Sequence, residues 1–495
     1  MRIILIAGLL LSTAAGYAQK TAKPDPYAKT ITVEDLKRHL YVVAGPEMEG
    51  RETATEGQRR AAAYIEGEFK RIGLQPGNNG SYHQPFSLFQ DSLTGARLEV
   101  NGQAFQLDRD FNANLGNQAT TLRFSEVVVV GANATDALSN ADLAGKLVMV
   151  LPSGSSAGTS SRFNAGGTLA VLRTKGVAGI LTVSSSYPRT TPANLKGGMS
   201  IYEFKKAYAP QQFIVSENVA RAIVKDYAAV QTAASALKTY TANVLLEVQK
   251  TTNKLESSNV LGILPGTDLK DEYLVITAHY DHEGKRGDSV IYYGADDDGS
   301  GTVSVIELAE AFAKAKKAGK GPRRSIVFMT VSAEEKGLLG SAYYGDNPIF
   351  PLEKTTANLN IDMIGRIDPK RTVGDSLNYV YVVGDDKLST DLRPISEAAN
   401  NKYTKLELDY KYNAPDDKEF IYYRSDHYNF AKNGVPIIFY FNGTHDDYHR
   451  PTDTPDKINY PLLAKRAKLV FYTAWEMANR NEMLKRDLEL PVLRR

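Results

Sequence analysis

Two short motifs near the middle of the chain carry side chains of the types that can bind metal ions. The first, His279-Tyr-Asp281, follows the apolar run of residues 273–278, and the second is a glycine-flanked loop with three aspartates at 296–298. Apolar runs of this length predict buried strands, and α/β proteins build their sites in the loops beyond strand ends. A histidine beside carboxylates suits a zinc-like cation, which would also relieve the repulsion among adjacent aspartates. The two motifs therefore predict part of a metal site.

Further donor groups follow in the C-terminal half of the chain. Glu334 and Glu335 come directly after the apolar run 325–331, and one carboxylate of such a pair can bind a metal while its neighbour acts as a general base. Asp362 falls within a predicted apolar strand, where an unpaired carboxylate is costly. His449 lies in a loop before the last helical region. Taken singly, these motifs also fit a surface His–Asp pair, a solvated glutamate pair or acidic helix caps.

Together the candidates form one ligand set of two nitrogens and three carboxylates. Its members are His279, Asp297, Glu335, Asp362 and His449. If Asp297 bridges two ions, each ion has three protein ligands and room for water, which is the open geometry of a catalytic site. The nearby His282 is either a spare ligand or a solvated side chain.

The elements predicted around these motifs alternate between strands and helices. The strand candidates are residues 259–264, 273–278, 325–331, 359–363, 379–383 and 435–441. The helix candidates are residues 302–316, 338–344, 390–400, 428–433 and 462–479, after two N-terminal helices at 33–43 and 55–72. Such alternation predicts an α/β fold with a mixed, largely parallel central sheet flanked by helices.

Residues 119–249 differ in character from the sequence on either side. Apolar runs at 127–130 and 146–151 predict short strands, and the segment contains no cluster of histidine with acidic residues. We therefore expect a β-rich insert here. Residues 19–118 and 250–495 are expected to form the two parts of the domain that carries the metal site.

Composition excludes several other classes of function. The 495 residues are 42% hydrophobic and 23% charged, as in an ordinary soluble protein of two or three domains. The formal net charge of +2 gives no reason to expect nucleic acid or an acidic membrane surface as a partner. Because there are no cysteines, disulfides, thiolate ligands and cysteine nucleophiles are excluded, and any metal must be bound by His, Asp and Glu.

The N-terminus resembles a targeting signal. Arg2 precedes an apolar run at residues 3–11 and small residues at 14–18, which predicts a secretory signal at 1–18 and an exported, periplasmic or secreted protein. A retained anchor or a frayed helix is the alternative. No stretch reaches the roughly 20 apolar residues of a transmembrane helix, so no membrane span is expected.

Taken in order, the motifs resemble those of the M28 family of co-catalytic zinc peptidases. They are His279-x-Asp281, the loop 294–301, Glu334-Glu335, Asp362 in Asn-x-Asp-Met-x-Gly, and Tyr448-His449. Residues 49–53 also resemble a segment near the start of the family's catalytic domain. The insert, through residues 142–150 and 175–181, resembles a protease-associated (PA) domain. The resemblance implies a zinc-exopeptidase fold with an inserted β-rich PA-like domain.

The same resemblance implies how two zinc ions would be bound. Asp297 would bridge the ions, His279 and Asp362 would complete one site, and Glu335 and His449 would complete the other.

It also implies catalytic and substrate-binding roles. Glu334 would be the general base, Asp281 would orient His279, and Tyr448 would hydrogen-bond the developing oxyanion. Arg424, in Arg-Ser-Asp-His, matches a substrate-contacting motif of some family aminopeptidases; otherwise it is a salt-bridged surface arginine. Arg450 departs from the small residue that often follows the histidine in the family.

The function that follows is an exported metallo-exopeptidase. The resemblance implies an aminopeptidase that removes N-terminal residues from peptides with water activated by two zinc ions. A glutamate carboxypeptidase-like enzyme would use the same metals but would need a basic pocket for a terminal carboxylate. A glutaminyl cyclase relies on pocket tryptophans, whereas this chain has only Trp475, in a predicted helix. An inactive binding homologue should have lost ligands, and all five are present.

Overall fold

The computed structural model describes residues 23–131, 135–152, 160–192, 194–204, 209–232 and 237–491. The predicted signal at 1–18 lies outside these residues. The chain forms two compact units, the first built from residues up to Pro85 and from Ser258 onward, and the second from Phe86–Ser257. Among the described residues, no helix is both long and apolar enough to cross a membrane.

The helices and strands are numbered here in chain order. The strands are β1 Gln75–Pro76, β2 His83–Val100, β3 Gln103–Phe105, β4 Phe111–Ala113, β5 Thr120–Val130, β6 Leu147–Val150, β7 Gly179–Val183, β8 Lys196–Ser200, β9 Gln211–Val215, β10 Lys238–Leu264, β11 Leu269–His279, β12 Lys285–Arg286, β13 Val290–Ile291, β14 Arg324–Val331, β15 Thr355–Ile361, β16 Tyr379–Val383, β17 Glu407–Asp409 and β18 Ile437–Phe441. The α-helices are α1 Asp25–Ala28, α2 Val33–Val43, α3 Glu56–Ile72, α4 Thr135–Ser139, α5 Ser160–Thr174, α6 Glu217–Ile223, α7 Tyr227–Thr232, α8 Gly301–Lys317, α9 Leu339–Asp346, α10 Leu392–Ala399, α11 His427–Ala431 and α12 Tyr460–Asn479.

The first unit contains a mixed sheet with a parallel centre. Its strand order is β17-β16-β18-β15-β11-β14-β10; β18, β15, β11 and β14 are parallel, and β16 and β10 run antiparallel to their neighbours β18 and β14. The predicted fold class, an α/β sheet that is mixed and largely parallel and flanked by helices, is confirmed.

Both faces of this sheet are covered by helices. Leu274 and Ile276 of β11 join a core that includes residues of α2, α3, α8 and α12, whereas Val275 joins the core on the other face, which includes residues of α9 and α11. Burial on both faces explains why these strands are continuous apolar runs rather than alternating ones. The buried sheet is a rigid support for the loops at its edge.

The second unit begins earlier than the predicted insert. It spans Phe86–Ser257 instead of residues 119–249. The reason is that β3 and β4, which precede residue 119, pair with β2 and β9, and Phe105 and Phe111 are buried in the same core as the residues of β5, β6 and β9. Within this unit β5, β6, β7 and β9 are parallel neighbours. Its likeness to a PA domain stays a prediction.

Candidate metal centre

The carboxyl ends of the central strands bring the predicted ligands together. His279 is the last residue of β11, and it lies opposite Val331, the last residue of the parallel strand β14, three positions before Glu334. Asp362 follows the end of β15 directly. Because parallel strands end at the same edge of a sheet, two predicted ligands and the predicted general base, all far apart in sequence, meet there.

Asp362 differs from its prediction in one respect. It was placed inside a strand of residues 359–363, but β15 ends at Ile361. The backbone turns at Met363, whose φ is 58°, a value that a strand does not allow. The carboxylate of Asp362 accepts a hydrogen bond from Ser425 Oγ at 2.6 Å through Oδ2. Its other oxygen, Oδ1, lies 3.7 Å from His279 Nε2.

The three adjacent aspartates differ in the backbone groups that their carboxylates contact. Asp298 Oδ1 accepts hydrogen bonds from the N–H groups of Gly301 and Met363, at 2.8 and 3.1 Å, which places it at the start of α8. Asp296 Oδ1 accepts from Gly365 N at 2.6 Å. Asp297 is left with its carboxylate directed at the histidines. The loop therefore presents one of its three carboxylates to the site.

Asp297 lies between two predicted histidine ligands. Its Oδ1 is 3.2 Å from His279 Nε2, and its Oδ2 is 3.0 Å from His449 Nε2. Burial opposes its ionisation, but the two imidazoles outweigh that effect and hold the pKa of Asp297 well below its usual range. An ionised carboxylate that faces two nitrogen donors through different oxygens has the arrangement required of a bridging ligand.

The remaining predicted ligands fall on either side of Asp297. Glu335 Oε2 is 3.1 Å from His449 Nε2, and ligand atoms of His279, Glu334 and Asp362 lie within 4.8 Å of one another. The structure thus brings all five predicted metal ligands into one cluster.

Asp281 contacts His279 differently from the predicted arrangement. The main-chain oxygen of Asp281 is 3.1 Å from His279 Nδ1, whereas the nearest carboxylate oxygen is 3.8 Å away, too far for a hydrogen bond. The carboxylate instead accepts hydrogen bonds from Thr53 Oγ1 at 2.7 Å and from the N–H of Glu334 at 3.2 Å. Asp281 therefore orients His279 through its backbone and fixes the start of the Glu334 segment through its side chain.

Glu334 has the environment of a group that exchanges protons. Its Oε2 lies 3.9 Å from His279 Nε2, and burial raises the pKa of Glu334 well above its usual range. It lines a pocket that also contains Asp297, Asp362, Arg424 and Tyr448. A carboxyl group of raised pKa beside the ligand cluster is suited to general acid–base catalysis.

Tyr448 and Arg424 meet at the wall of this pocket. Arg424 Nη2 donates a hydrogen bond to the Tyr448 hydroxyl oxygen at 3.3 Å. Burial raises the pKa of Tyr448 well above its usual range, so the hydroxyl keeps its proton. The Tyr448 ring stacks on His449, with centroids 3.9 Å apart. Both predicted substrate-contacting residues are therefore at the site.

Three residues that support the site carried no recognisable signal in the sequence. Thr53 and Ser425 bind carboxylates of the cluster, and the buried Arg51 donates to the carbonyl oxygens of Tyr280 and Gly294, at 2.8 and 2.9 Å. The segment 49–53 and the motif at 424–427 resemble the family, but neither resemblance gave these three residues a role. Each contact joins residues far apart in sequence, so spacing alone could not reveal it.

Comparison with known proteins agrees with this geometry. Residues 259–474 match peptidase family M28. The chain is 29% identical over 241 residues to a probable leucine aminopeptidase of Arthroderma otae, a match that covers 48% of this chain and 62% of that protein. The chain spans less than two thirds of the length of the curated relatives it matches first.

Two solved structures share the fold. An aminopeptidase from Aneurinibacillus sp. strain AM-1 superposes with a TM-score of 0.58 at 19% identity, over 95% of this chain and 98% of that one. A zinc aminopeptidase from Bacillus subtilis superposes with a TM-score of 0.51 at 18% identity, over 93% and 99%. The segment that matches peptidase family M28 contains all five clustered ligands and Glu334, so the likeness to that family covers the whole ligand cluster.

Proposed function

We propose that the protein is a zinc aminopeptidase that removes N-terminal residues from peptides. The observation that carries the proposal is the cluster in which Asp297 faces two nitrogen donors, beside a glutamate of raised pKa in a pocket. The relatives named above as aminopeptidases support the reaction class.

The donor atoms fit two zinc ions. His279 Nε2, Asp297 Oδ2 and Glu335 Oε1 are buried and have no hydrogen-bond partner among the described residues. Buried polar atoms without partners are costly unless an ion or water satisfies them. Imidazole nitrogens with carboxylate oxygens, and no thiolate, are a usual ligand set for catalytic zinc. His279 and Asp362 would hold one ion, Glu335 and His449 the other, and Asp297 both.

Zinc ions bound there would polarise the scissile carbonyl and make water a stronger acid. The chain's own side chains do the rest. Glu334, beside the ligand cluster, accepts the proton of the attacking water and then donates it to the leaving amine. Tyr448 donates a hydrogen bond to the oxyanion and keeps its proton; its O–H is free to donate because Arg424 occupies an acceptor position on the same oxygen.

The pocket wall indicates which N-terminal residues bind. Besides Glu334 and Asp362, the pocket is lined by Met363, Ile421, Phe439 and Phe441. Apolar walls around a few polar groups favour apolar ligand side chains. We therefore expect a preference for apolar residues such as leucine or phenylalanine at the N-terminal position.

One residue of the pocket, Arg424, would also fit a carboxypeptidase, so this alternative is tested as well. Arg424 lines the pocket and is the kind of residue that binds a terminal carboxylate. An aminopeptidase requires a free α-amino group, whereas a carboxypeptidase requires a free α-carboxylate, so one substrate set separates them.

The experiment compares leucine p-nitroanilide with its N-acetylated form and with an N-blocked dipeptide that has a free carboxylate. We expect cleavage of the first only, loss of activity with a chelator, and recovery when zinc is restored. Equal cleavage of the acetylated anilide would refute aminopeptidase action, and cleavage of the blocked dipeptide alone would establish the carboxypeptidase.

We also propose that the protein is exported. The proposal rests on the predicted signal at residues 1–18. Mass spectrometry of the protein recovered from the native host should find a mature N-terminus near residue 19, and an intact N-terminus on the cytoplasmic protein would contradict export.

A further inference from the structure

His282 is a buried histidine that the five-ligand set leaves without a role. It follows Asp281 at the end of the first motif, and its side chain is inaccessible to solvent. Neither ring nitrogen has a hydrogen-bond partner among the described residues. The backbone N–H of His282 donates to the carbonyl oxygen of Arg51 at 3.2 Å, which fixes the position from which the side chain projects. A buried imidazole held in this way without a hydrogen bond to either nitrogen requires a physical reason.

The ring of His282 is directed at the carboxylates of the second predicted ion site. Its Nδ1 lies 2.9 Å from Glu335 Oε1 and 3.8 Å from Asp297 Oδ2. His449 approaches the same two carboxylates, with Nε2 3.1 Å from Glu335 and 3.0 Å from Asp297. The two imidazole rings are 5.7 Å apart and nearly perpendicular, at 75°. Two nitrogen donors therefore converge on one pair of carboxylates.

These separations match those of ligands around one ion. Zinc binds nitrogen and oxygen at about 2.0–2.2 Å, so neighbouring ligands of a tetrahedral ion lie about 3.4 Å apart. The four separations given above, 2.9 to 3.8 Å, lie on both sides of that value. The contact of His282 Nδ1 with Glu335 is short enough for a hydrogen bond but does not have the geometry of one.

We propose that His282 is a sixth protein ligand of the metal centre and binds the same ion as Glu335 and His449. The inference rests on the proposed metal centre and deepens it. With Asp297, that ion then has four protein ligands, whereas the ion of His279 and Asp362 has three.

The unequal ligand numbers predict unequal behaviour of the two ions. Four protein ligands close a tetrahedral site, as in structural zinc sites, and three leave a position open for water or substrate. The ion at His282 should therefore exchange slowly, and the ion at His279 should be lost first when the protein is dialysed against a chelator.

The absence of cysteine from the chain allows a direct test by substitution. In His282→Cys the new sulfur can replace Nδ1, since Nδ1 is the ring nitrogen nearer to Cβ and zinc–sulfur bonds are only slightly longer, at about 2.3 Å. Loaded with Co²⁺, a thiolate ligand gives an intense charge-transfer band in the near ultraviolet. The matched control is His39→Cys, at another fully buried histidine, in α2.

His282→Gln is the second variant, and its affinity for each ion is measured by chelator competition. We expect the band in His282→Cys and not in His39→Cys. We also expect the affinity of His282→Gln for one of the two ions to fall by about 100-fold or more. Loss of a residue that only hydrogen-bonds a ligand typically lowers metal affinity by roughly 10–100-fold. Circular dichroism checks that each variant is folded.

The unfavourable outcomes separate the two proposals. If the wild type binds two ions, but His282→Cys with two cobalt ions shows no band and His282→Gln keeps both affinities, His282 is not a ligand and the metal centre stands. If the wild type binds no ion, the metal centre and the role of His282 are both refuted.

Discussion

Replacing Arg51 by lysine should destabilise the first unit strongly, although it conserves the charge. Arg51 is fully buried and donates four hydrogen bonds, to the carbonyl oxygens of Tyr280 and Val43 at 2.8 Å, of Tyr293 at 2.8 Å and of Gly294 at 2.9 Å. The carbonyl of Val43 ends α2, and the other three belong to residues next to His279 or to the loop of Asp297. One guanidinium thus joins α2 to the segments of the predicted ligands His279 and Asp297.

The expected loss in unfolding free energy follows from the number of carbonyl oxygens that lose their hydrogen-bond donor. Burial lowers the pKa of Arg51 to about 10, with nearby carboxylates opposing the change, so the group stays charged at neutral pH. A lysine ammonium is a point donor and cannot span the planar fork, so we expect it to keep two bonds at most. Each lost bond to a charged donor costs about 1.5–3 kcal/mol, which gives a loss of about 3–6 kcal/mol in unfolding free energy.

The assay is urea unfolding followed by tryptophan fluorescence. Trp475 is the only tryptophan in the chain and lies buried in α12, so the signal reports on the first unit alone. The control is Arg59→Lys on the exposed face of α3, which should change the free energy by less than about 0.5 kcal/mol. A loss below about 1 kcal/mol for Arg51→Lys would show that the four carbonyls do not depend on the guanidinium, and the reasoning would fail.

Three further changes test other parts of the site. Glu334→Gln should keep its metal content and lose about 10²–10⁴-fold in kcat, because it cannot exchange a proton; near-normal turnover in a steady-state assay would contradict the general-base role. Thr53→Val should lower the free energy of urea unfolding by about 1–3 kcal/mol, because it removes a hydrogen bond from the buried Asp281 carboxylate. Thr53→Ser keeps the hydroxyl and should keep that free energy near the wild-type value. Equal losses in the two variants would show that packing, and not the hydrogen bond, is responsible. Burial lowers the pKa of His427 from 6.5 to about 3. Between these two pH values the unfolded chain binds more protons than the folded protein. The unfolding free energy therefore falls as the pH falls through this window, by up to about 1.4 kcal/mol per pH unit. His427→Gln should remove this component from the pH dependence of the unfolding free energy, and an unchanged pH dependence would refute it.

Much of the first unit was predictable because its elements are long and uniform. The helix predicted at 33–43 and the strand predicted at 379–383 have the bounds of α2 and β16, and the helix predicted at 302–316 is α8 to within one residue at each end. These segments are buried on a continuous face or on both faces, so apolar periodicity or continuity follows directly from their environment. The boundary of the second unit was less predictable, since pairing of β4 with β9 joins residues about 100 positions apart.

The candidate ligands were predictable for a different reason. Histidine and carboxylate side chains directly after apolar strands are costly without a partner, and this cost is visible in the sequence itself. The groups that support them are not visible in this way. Thr53 resembles any surface threonine until the fold places its hydroxyl 2.7 Å from Asp281, and the role of Arg51 depends on carbonyl oxygens, which every residue has.

In the acidic loop, hydrogen bonds formed in the fold, and not the amino-acid composition, give the three aspartates different roles. Three consecutive aspartates are chemically equivalent in the sequence, and acidic capping of α8 could account for one of them. The fold makes them different through their hydrogen bonds: Asp298 accepts from Gly301 N as a helix cap does, and Asp296 accepts from Gly365 N. Asp453 Oδ2 accepts hydrogen bonds from the backbone N–H groups of Asp296 and Asp297, at 2.9 and 3.2 Å, and so fixes the backbone of the loop. Among the described residues, the carboxylate of Asp297 then faces His279 through one oxygen and His449 through the other. A residue indistinguishable from its neighbours in sequence is thus the one placed to join the two proposed ions.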